Sequence, residues 1–220
     1  MLNAYLKEPP QPPEACIIWM HGLGADANDM SGLASQLQLN SNAVRHVFLD
    51  APVRPVSINN GLKMRAWYDI YDLRFSSRED REGILDSESD ILAILNEQIQ
   101  QGIPSKKIWL AGFSQGGAMA LHTALKLNQP LGGIIVLSAY LPLASECQPL
   151  LAKETAIFFA YGLYDSVVLP DWSKLCLGWL KANGYMQVAE HSYPMDHAVC
   201  LEEIEDLSAW LNNLLTGDDR

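Results

Sequence analysis

The chain has 220 residues, 49% of them hydrophobic and 19% charged, and its 26 acidic and 15 basic side chains give a formal net charge of −11. This length and composition predict one globular domain over residues 1–220 with a full hydrophobic core, and they exclude fibrous, disordered and disulfide-scaffold proteins. Because an acidic surface repels phosphate backbones and anionic headgroups, we expect neither nucleic-acid binding nor electrostatic membrane docking.

The cysteines and the apolar stretches indicate where the protein resides. Four cysteines are widely separated and form no C-x-x-C pair, so we predict reduced thiols and no metal site. No stretch approaches the roughly 18 apolar residues of a membrane span, and the N-terminus has no signal-peptide pattern. We therefore expect a cytoplasmic protein without stable membrane insertion.

The predicted elements alternate between short apolar runs and longer segments of helical period. Strands are predicted at 15–20, 44–49, 107–111, 133–138, 156–161 and 186–193, and helices at 28–39, 84–99, 116–127, 170–182 and 201–215. Residues 51–75 break the rhythm and are predicted as a long loop, which in a compact domain is usually functional. Such alternation predicts a mostly parallel, doubly wound α/β sheet with helices on both faces.

A G-x-S-x-G motif lies between a predicted strand and a predicted helix, at residues 112–116. Small residues on either side let the backbone turn sharply, so that Ser114 stands clear of the sheet near the positive end of the next helix. This setting predicts a nucleophilic serine. The alternative is a serine that only caps the helix.

A serine nucleophile needs a histidine base and a carboxylate that orients the histidine. In the fold to which this G-x-S-x-G turn belongs, the acid and then the histidine follow the serine along the chain. His191 and His197 both lie far enough beyond Ser114. His191 falls inside a predicted strand, whereas His197 falls in the turn before the last helix, so we predict His197 as the base.

Three aspartates are candidates for the acid. Asp165 follows the strand at 156–161, which places it at the carboxyl edge of the sheet. Asp196 is adjacent to His197, and neighbouring side chains generally diverge. Asp171, at the start of a predicted helix, is explained as a cap or as a partner of the helix dipole. We therefore predict Asp165.

The oxyanion of acyl transfer needs two preorganised donors. One is expected from the N–H of Gln115, which follows the nucleophile, and the other from the glycine-containing loop at residues 21–24. His21 precedes Ser114, whereas the catalytic base is expected after the serine in the chain. We therefore interpret His21 as a structural residue that hydrogen-bonds the loop.

Taken together, these residues resemble the phospholipase/carboxylesterase family of small α/β-hydrolases, which includes acyl-protein thioesterases and bacterial carboxylesterases. The resemblance covers about residues 15–214 and rests on residues 21–26 (HGLGAD), 64–69 (MRAWYD), 78–84 (REDREGI), 112–117 (GFSQGG), 137–142 (LSAYLP) and 193–200 (YPMDHAVC). It implies an α/β-hydrolase fold and a serine esterase that needs no cofactor. The positions matching the triad are Ser114, Asp165 and His197, and those matching the amide donors are Leu23 and Gln115.

The resemblance also implies an acyl groove. Its apolar wall matches residues of the long loop, Trp67, Ile70, Leu73 and Phe75, with Leu23 opposite. The alternative is a loop that merely packs over the core.

We expect a carboxylesterase that cleaves short- to medium-chain carboxylic esters through an acyl-enzyme on Ser114, with a small-molecule ester or thioester as its substrate. An acyl-protein thioesterase or lysophospholipase acting on long chains is the alternative, and the chain is a monomer or a homodimer. An inactive ligand-binding protein would not need both Asp165 and His197. Dehalogenases and dienelactone hydrolases have Asp or Cys at the position that Ser114 occupies in this chain. A peptidase is not expected either, because the spacing of the predicted elements leaves no room for the cap domain that it would need.

Overall fold

A seven-stranded sheet forms the centre of the computed structural model, which describes residues 2–72 and 78–216. Its strands are β1 (Asn3–Lys7), β2 (Ala15–Met20), β3 (Val44–Asp50), β6 (Ile108–Phe113), β7 (Gly133–Leu137), β8 (Ile157–Gly162) and β9 (Val188–Tyr193), and a separate hairpin consists of β4 (Val53–Val56) and β5 (Leu62–Arg65). The order in the sheet is β1-β3-β2-β6-β7-β8-β9. All neighbouring strands are parallel except β1, which pairs antiparallel with β3.

Helices cover both faces of this sheet. Within the described ranges the α-helices are α1 (Ala27–Ala34), α2 (Arg81–Gln100), α3 (Gln115–Leu125), α4 (Pro170–Ala182) and α5 (Leu201–Leu215). Buried side chains of α1 and α5 join one hydrophobic cluster, and those of α2, α3 and α4 join the other. This arrangement confirms the predicted mostly parallel, doubly wound sheet, and across the described residues no cap domain is inserted over it.

Strand β2 shows why the central strands are continuous apolar runs. All six of its residues are buried. Cys16 and Ile18 point into one cluster, whereas Ile17 and Trp19 point into the other. A strand covered on both faces needs apolar residues at every position, so it lacks the alternation of a half-exposed strand.

Two features were not predicted. Strand β1 is mostly exposed, with Tyr5 at 54% and Leu6 at 48%, so it has no buried apolar run to reveal it. The β4–β5 hairpin lies inside the stretch that was predicted as an irregular loop, and Asn60 and Gly61 adopt positive φ at its turn. Both elements form by backbone pairing at a surface, which leaves a weak hydrophobic pattern.

Helix α1 ends earlier than predicted, at Ala34 instead of residue 39. The N–H groups of Gln36 and Leu37 still donate to carbonyls of α1. Further along, side chains of α5 accept the backbone hydrogen bonds: the Gln38 N–H donates to Ser208 Oγ (3.1 Å) and the Asn40 N–H donates to Asn212 Oδ1 (2.8 Å). These partners lie about 170 positions away in the chain, so no local pattern indicates the end of the helix.

The described structure buries the carboxyl group of Glu203. Glu203, in the first turn of α5, is fully buried, and within the described part of the chain neither carboxyl oxygen has a partner in hydrogen-bonding geometry. Burial raises the pKa of this carboxyl to about 8, although the nearby N–H of Cys200 opposes the shift. The folded protein therefore holds Glu203 protonated at a pH where the unfolded chain has released the proton.

Because the pKa is raised in the folded state, the stability of the protein should fall as the pH rises from about 4.5 to about 8. This one group contributes a slope of up to about 1.4 kcal/mol per pH unit in that window. Glu203→Gln removes the ionisation, so the variant should match the wild type near pH 4.5 and become progressively more stable than it above. Urea denaturation at intervals from pH 4.5 to 8 measures this, with exposed Glu202→Gln as the control. Parallel stability curves for Glu203→Gln and wild type would contradict the prediction.

Candidate active site

The predicted nucleophile occupies a strained turn. Ser114 lies between β6 and α3 with φ 55° and ψ −122°, a positive φ that side-chain-bearing residues rarely adopt. The turn is tight because a Cβ on Gly112 would lie 2.3 Å from the carbonyl carbon of Gly116. A Cβ on Gly116 would lie 2.1 Å from Met20 O. Both glycines are therefore required for the strand, the helix and β2 to approach one another.

The three residues predicted as a triad meet at the carboxyl edge of the sheet. His197 Nε2 lies 2.9 Å from Ser114 Oγ, and His197 Nδ1 lies 2.7 Å from Asp165 Oδ2. The Asp165 side chain is fully buried, and its other oxygen, Oδ1, accepts hydrogen bonds from the N–H groups of Val167 (2.9 Å) and Val168 (2.8 Å). These two donors fix the rotation of the carboxylate, so that Oδ2 faces the imidazole.

This geometry determines how the imidazole can act. A carboxylate only accepts hydrogen bonds, so Nδ1 of a neutral His197 carries the proton that points at Asp165. The lone pair of Nε2 is then directed at the Ser114 hydroxyl. The ring of Phe113 packs 4.7 Å from the imidazole, centroid to centroid. The arrangement is suited to removing the serine proton.

The alternative acid and base have other partners. Asp196 Oδ1 accepts hydrogen bonds from the Ser166 N–H, the Ser166 hydroxyl and the His197 backbone N–H. The two N–H bonds lower the pKa of the Asp196 carboxyl. Through them, Asp196 links the Ser166 backbone to the turn that carries His197. His191 lies on β9 with Nδ1 3.2 Å from Asp206 Oδ2. Neither residue is hydrogen-bonded to Ser114 in the described structure.

The sequence predicts the backbone N–H groups of Leu23 and Gln115 as oxyanion donors. The N–H of Gln115 is the first of α3, and Leu23 lies in a turn closed by the bond from Ala25 N–H to Gly22 O (3.2 Å). Gly24, the third residue of this turn, has φ +76°, a conformation that favours glycine. Among the residues that the structure describes, neither the Leu23 nor the Gln115 N–H has an acceptor.

A cavity of about 650 Å³ opens beside Ser114. Leu23 and Ile70 line it, as predicted for the acyl groove. Further lining residues include Tyr140 and Leu141 after β7 and Val167, Val168 and Trp172 after β8. These residues were not predicted, although they follow the carboxyl ends of strands, which is the signal that located the catalytic candidates.

The structure corrects the interpretation of Trp67. Its side chain is fully buried and does not line the cavity, because the indole N–H donates to His21 O (2.9 Å) and holds the ring against the core. Leu73 and Phe75, the other two residues assigned to the groove, lie outside the described residues.

Within residues 2–72 and 78–216, no three or more His, Cys, Asp or Glu side chains are grouped so as to hold a metal ion. No helix in these ranges is long and apolar enough to cross a membrane.

Comparison with known proteins places the chain in a family. The profile of the Phospholipase/Carboxylesterase family matches residues 2–215. Acyl-protein thioesterase 1 of Neurospora crassa is 36% identical over 214 residues, covering 91% of this chain and 87% of that protein. The crystal structure of Zea mays acyl-protein thioesterase 2 superposes with a TM-score of 0.84 at 28% identity, covering 97% and 99% of the two chains. The Bacillus cereus carboxylesterase, at 18% identity and a TM-score of 0.80 over 97% and 95%, shares the fold. The chain is thus an α/β-hydrolase and belongs to the phospholipase/carboxylesterase family.

Proposed function

We propose that this protein hydrolyses carboxylic esters or thioesters through a covalent acyl-enzyme on Ser114. The observation that carries the proposal is the continuous hydrogen-bond chain from Ser114 through His197 to Asp165, with separations of 2.9 and 2.7 Å, built on a strained turn beside a cavity. Membership of the phospholipase/carboxylesterase family supports the same reaction. A probe that phosphonylates nucleophilic serines should label the wild type and not Ser114→Ala; an unlabelled wild type would favour an inactive binding protein.

In the acylation step, His197 Nε2 takes the hydroxyl proton while Ser114 Oγ attacks the carbonyl carbon of the substrate. The resulting oxyanion accepts hydrogen bonds from the N–H groups of Leu23 and Gln115, and buried Asp165 stabilises the imidazolium. The carbonyl then re-forms, the bond to the alcohol or thiol breaks, and the imidazolium gives its proton to the leaving group. Water repeats the sequence on the acyl-enzyme and releases the acid.

The cavity favours substrates with an apolar acyl chain. Its volume of about 650 Å³ lies within the range of small-molecule sites, and apolar side chains such as Ile70, Leu141 and Val168 supply much of its lining. We propose a carboxylesterase for short to medium chains. An acyl-protein thioesterase acting on long chains is a second candidate, favoured by relatives such as the acyl-protein thioesterase 1 of Neurospora crassa.

We further propose that the chain is a single domain acting on small-molecule esters or thioesters in the cytoplasm. Its state as a monomer or homodimer stays a prediction, and size-exclusion chromatography with light scattering would decide between them.

The two candidate functions differ in their dependence on acyl length. If the cavity holds the chain, each added methylene should raise kcat/KM up to about fourfold, from a transfer free energy of about 0.8 kcal/mol, until the chain outgrows the cavity. A series of p-nitrophenyl esters from acetate upward, assayed below their micelle concentrations, measures this. We expect a rise through medium lengths and then a plateau or decline.

A variant that fills the cavity provides the control for this series. Ile70→Trp should leave acetate hydrolysis nearly unchanged and lower kcat/KM for medium chains, whereas Met186→Trp, at an exposed position ahead of β9, should change neither. A steady fall from acetate would mean that the cavity does not hold the acyl chain. A rise that continues to palmitate would favour the thioesterase.

A further inference from the structure

The peptide bond between Gly22 and Leu23 carries one of the two proposed oxyanion donors. Its carbonyl oxygen, Gly22 O, lies 2.7 Å from His21 Nδ1. The described residues contain no cis peptide bond, and in a trans peptide the C=O and N–H groups point in opposite directions. Holding the Gly22 carbonyl against the imidazole therefore directs the Leu23 N–H to the other side of the peptide plane.

The Gly22–Leu23 peptide lies close to the nucleophile. A Cβ built on Gly22 would lie only 3.4 Å from the Cβ of Ser114, and Leu23 lines the same cavity as Ser114 and Gln115. The turn bond from Ala25 also restrains the Gly22 carbonyl, but at 3.2 Å it is longer than the contact with His21. The imidazole is thus the closer of the two restraints on this peptide.

The surroundings of His21 determine which of its nitrogens donates. The N–H of Ala51 donates to Nε2 at 3.0 Å, and a backbone amide nitrogen can only donate. In a neutral ring the proton must then sit on Nδ1, where it points at Gly22 O. His21 is fully buried, and burial lowers the pKa of its imidazole, which keeps the ring neutral. The tautomer that can hold the Gly22 carbonyl is therefore the one present.

Trp67 links His21 to the second oxyanion residue. Its ring lies 5.4 Å from the imidazole, centroid to centroid, and its indole N–H donates to His21 O. Its backbone N–H donates to Gln115 Oε1 (2.8 Å), and Gln115 Nε2 donates to Tyr68 O (2.8 Å). One buried network thus connects His21 with Gln115, the residue that carries the second proposed donor.

We propose that His21 is a positioning residue of the oxyanion hole: its Nδ1–H holds the Gly22 carbonyl and so aims the Leu23 N–H at the carbonyl oxygen of a substrate bound at Ser114. This inference rests on the proposed esterase function. The competing explanation is that His21 only anchors the backbone at Ala51, after β3.

Two substitutions separate these explanations. Asn places an amide N–H near the position of Nδ1, so His21→Asn keeps the bond to Gly22 O and loses the acceptor for Ala51. Gln reaches the position of Nε2, so His21→Gln keeps an acceptor for Ala51 and loses the donor to Gly22. We expect His21→Gln to lower kcat for a p-nitrophenyl ester about 10- to 100-fold with KM within twofold, because a misdirected donor acts mainly on the transition state. His21→Asn should stay within about threefold of wild type.

A second readout distinguishes misdirection of the donor from a loss of stability. A trifluoromethyl ketone forms a tetrahedral adduct with the serine, so its affinity should weaken in His21→Gln by the same factor as kcat/KM falls. His46→Gln is the matched control, because His46 is another buried histidine, bonded to Trp19 and near the amino end of β3; this variant should lower the melting temperature and leave kcat unchanged. If His21→Gln does not fold, His21→Leu carries the same expectation.

The results that overturn the inference are distinct from those that overturn the function. A wild type that hydrolyses esters, with His21→Gln equal to it, or with His21→Asn as impaired as His21→Gln, would show that His21 does not position the donor. A wild type that neither hydrolyses esters nor reacts with the serine probe would overturn the proposed function, and this inference with it.

Discussion

Ser114→Ala and His197→Ala should each lower kcat for a p-nitrophenyl ester by about 10⁵- to 10⁶-fold, and the double variant should be little worse than either single one. The reason is that the serine cannot attack unless the base removes its proton, and the base has nothing to activate without the serine. The 2.9 Å contact between Oγ and Nε2 makes the two side chains one functional unit. Purified single and double variants, compared under saturating substrate, measure the effect.

The control for this experiment is the other histidine that the chain order allows. His191 also has a carboxylate partner, Asp206, but it stacks on Phe158 at 4.8 Å and is not bonded to Ser114. His191→Ala should therefore keep kcat within a small factor of wild type. Losses that multiply in the double variant of Ser114 and His197 would contradict a mechanism in which the two act together.

The architecture could be predicted because burial on both faces leaves a strong pattern. Strand β2 is buried at every position, and α4 and α5 begin and end at the predicted residues. Elements that depend on distant partners could not be predicted in the same way. The end of α1 is determined by side chains of α5, and the β4–β5 hairpin by pairing between two short exposed strands.

The positions of the catalytic candidates followed from topology. Parallel strands end at one edge, so residues just after β6, β8 and β9 had to approach one another, and Ser114, Asp165 and His197 are such residues. The residues that line the cavity were harder to predict, because the apolar character of Trp67 does not indicate the direction in which its side chain points. Its backbone is held by Gln115, and its indole turns inward to His21.

His21 illustrates the limit of a motif. Its place before the glycines indicated a residue that hydrogen-bonds the loop. Which ring nitrogen of His21 donates to the loop depends on Ala51, 30 positions further along the chain, because the Ala51 N–H donates to Nε2. The orientation of an imidazole is a tertiary property, so it could be derived only once both partners were located.

Asp165→Asn should lower kcat about 10⁴-fold, the loss known for the same change in a serine protease, and the hydrogen bonds around Asp165 explain why. The N–H groups of Val167 and Val168 both donate to Oδ1, so the oxygen of an asparagine amide must occupy that position. The amide NH₂ then takes the place of Oδ2, 2.7 Å from His197 Nδ1, and donates to it. The imidazole proton is forced onto Nε2, where it faces the serine and blocks the base.

Asp196→Asn is the matched control, because Asp196 is the adjacent carboxylate yet bonds to Ser166 and to the His197 backbone, not to the imidazole. Its kcat should stay within about tenfold of wild type, since hydrogen bonds of an exposed group contribute modestly. Steady-state assays of both variants, together with rates of labelling by the serine probe, measure the difference. Should Asp196→Asn be the more impaired of the two, Asp196 would be the orienting carboxylate and the mechanism would have to be redrawn around it.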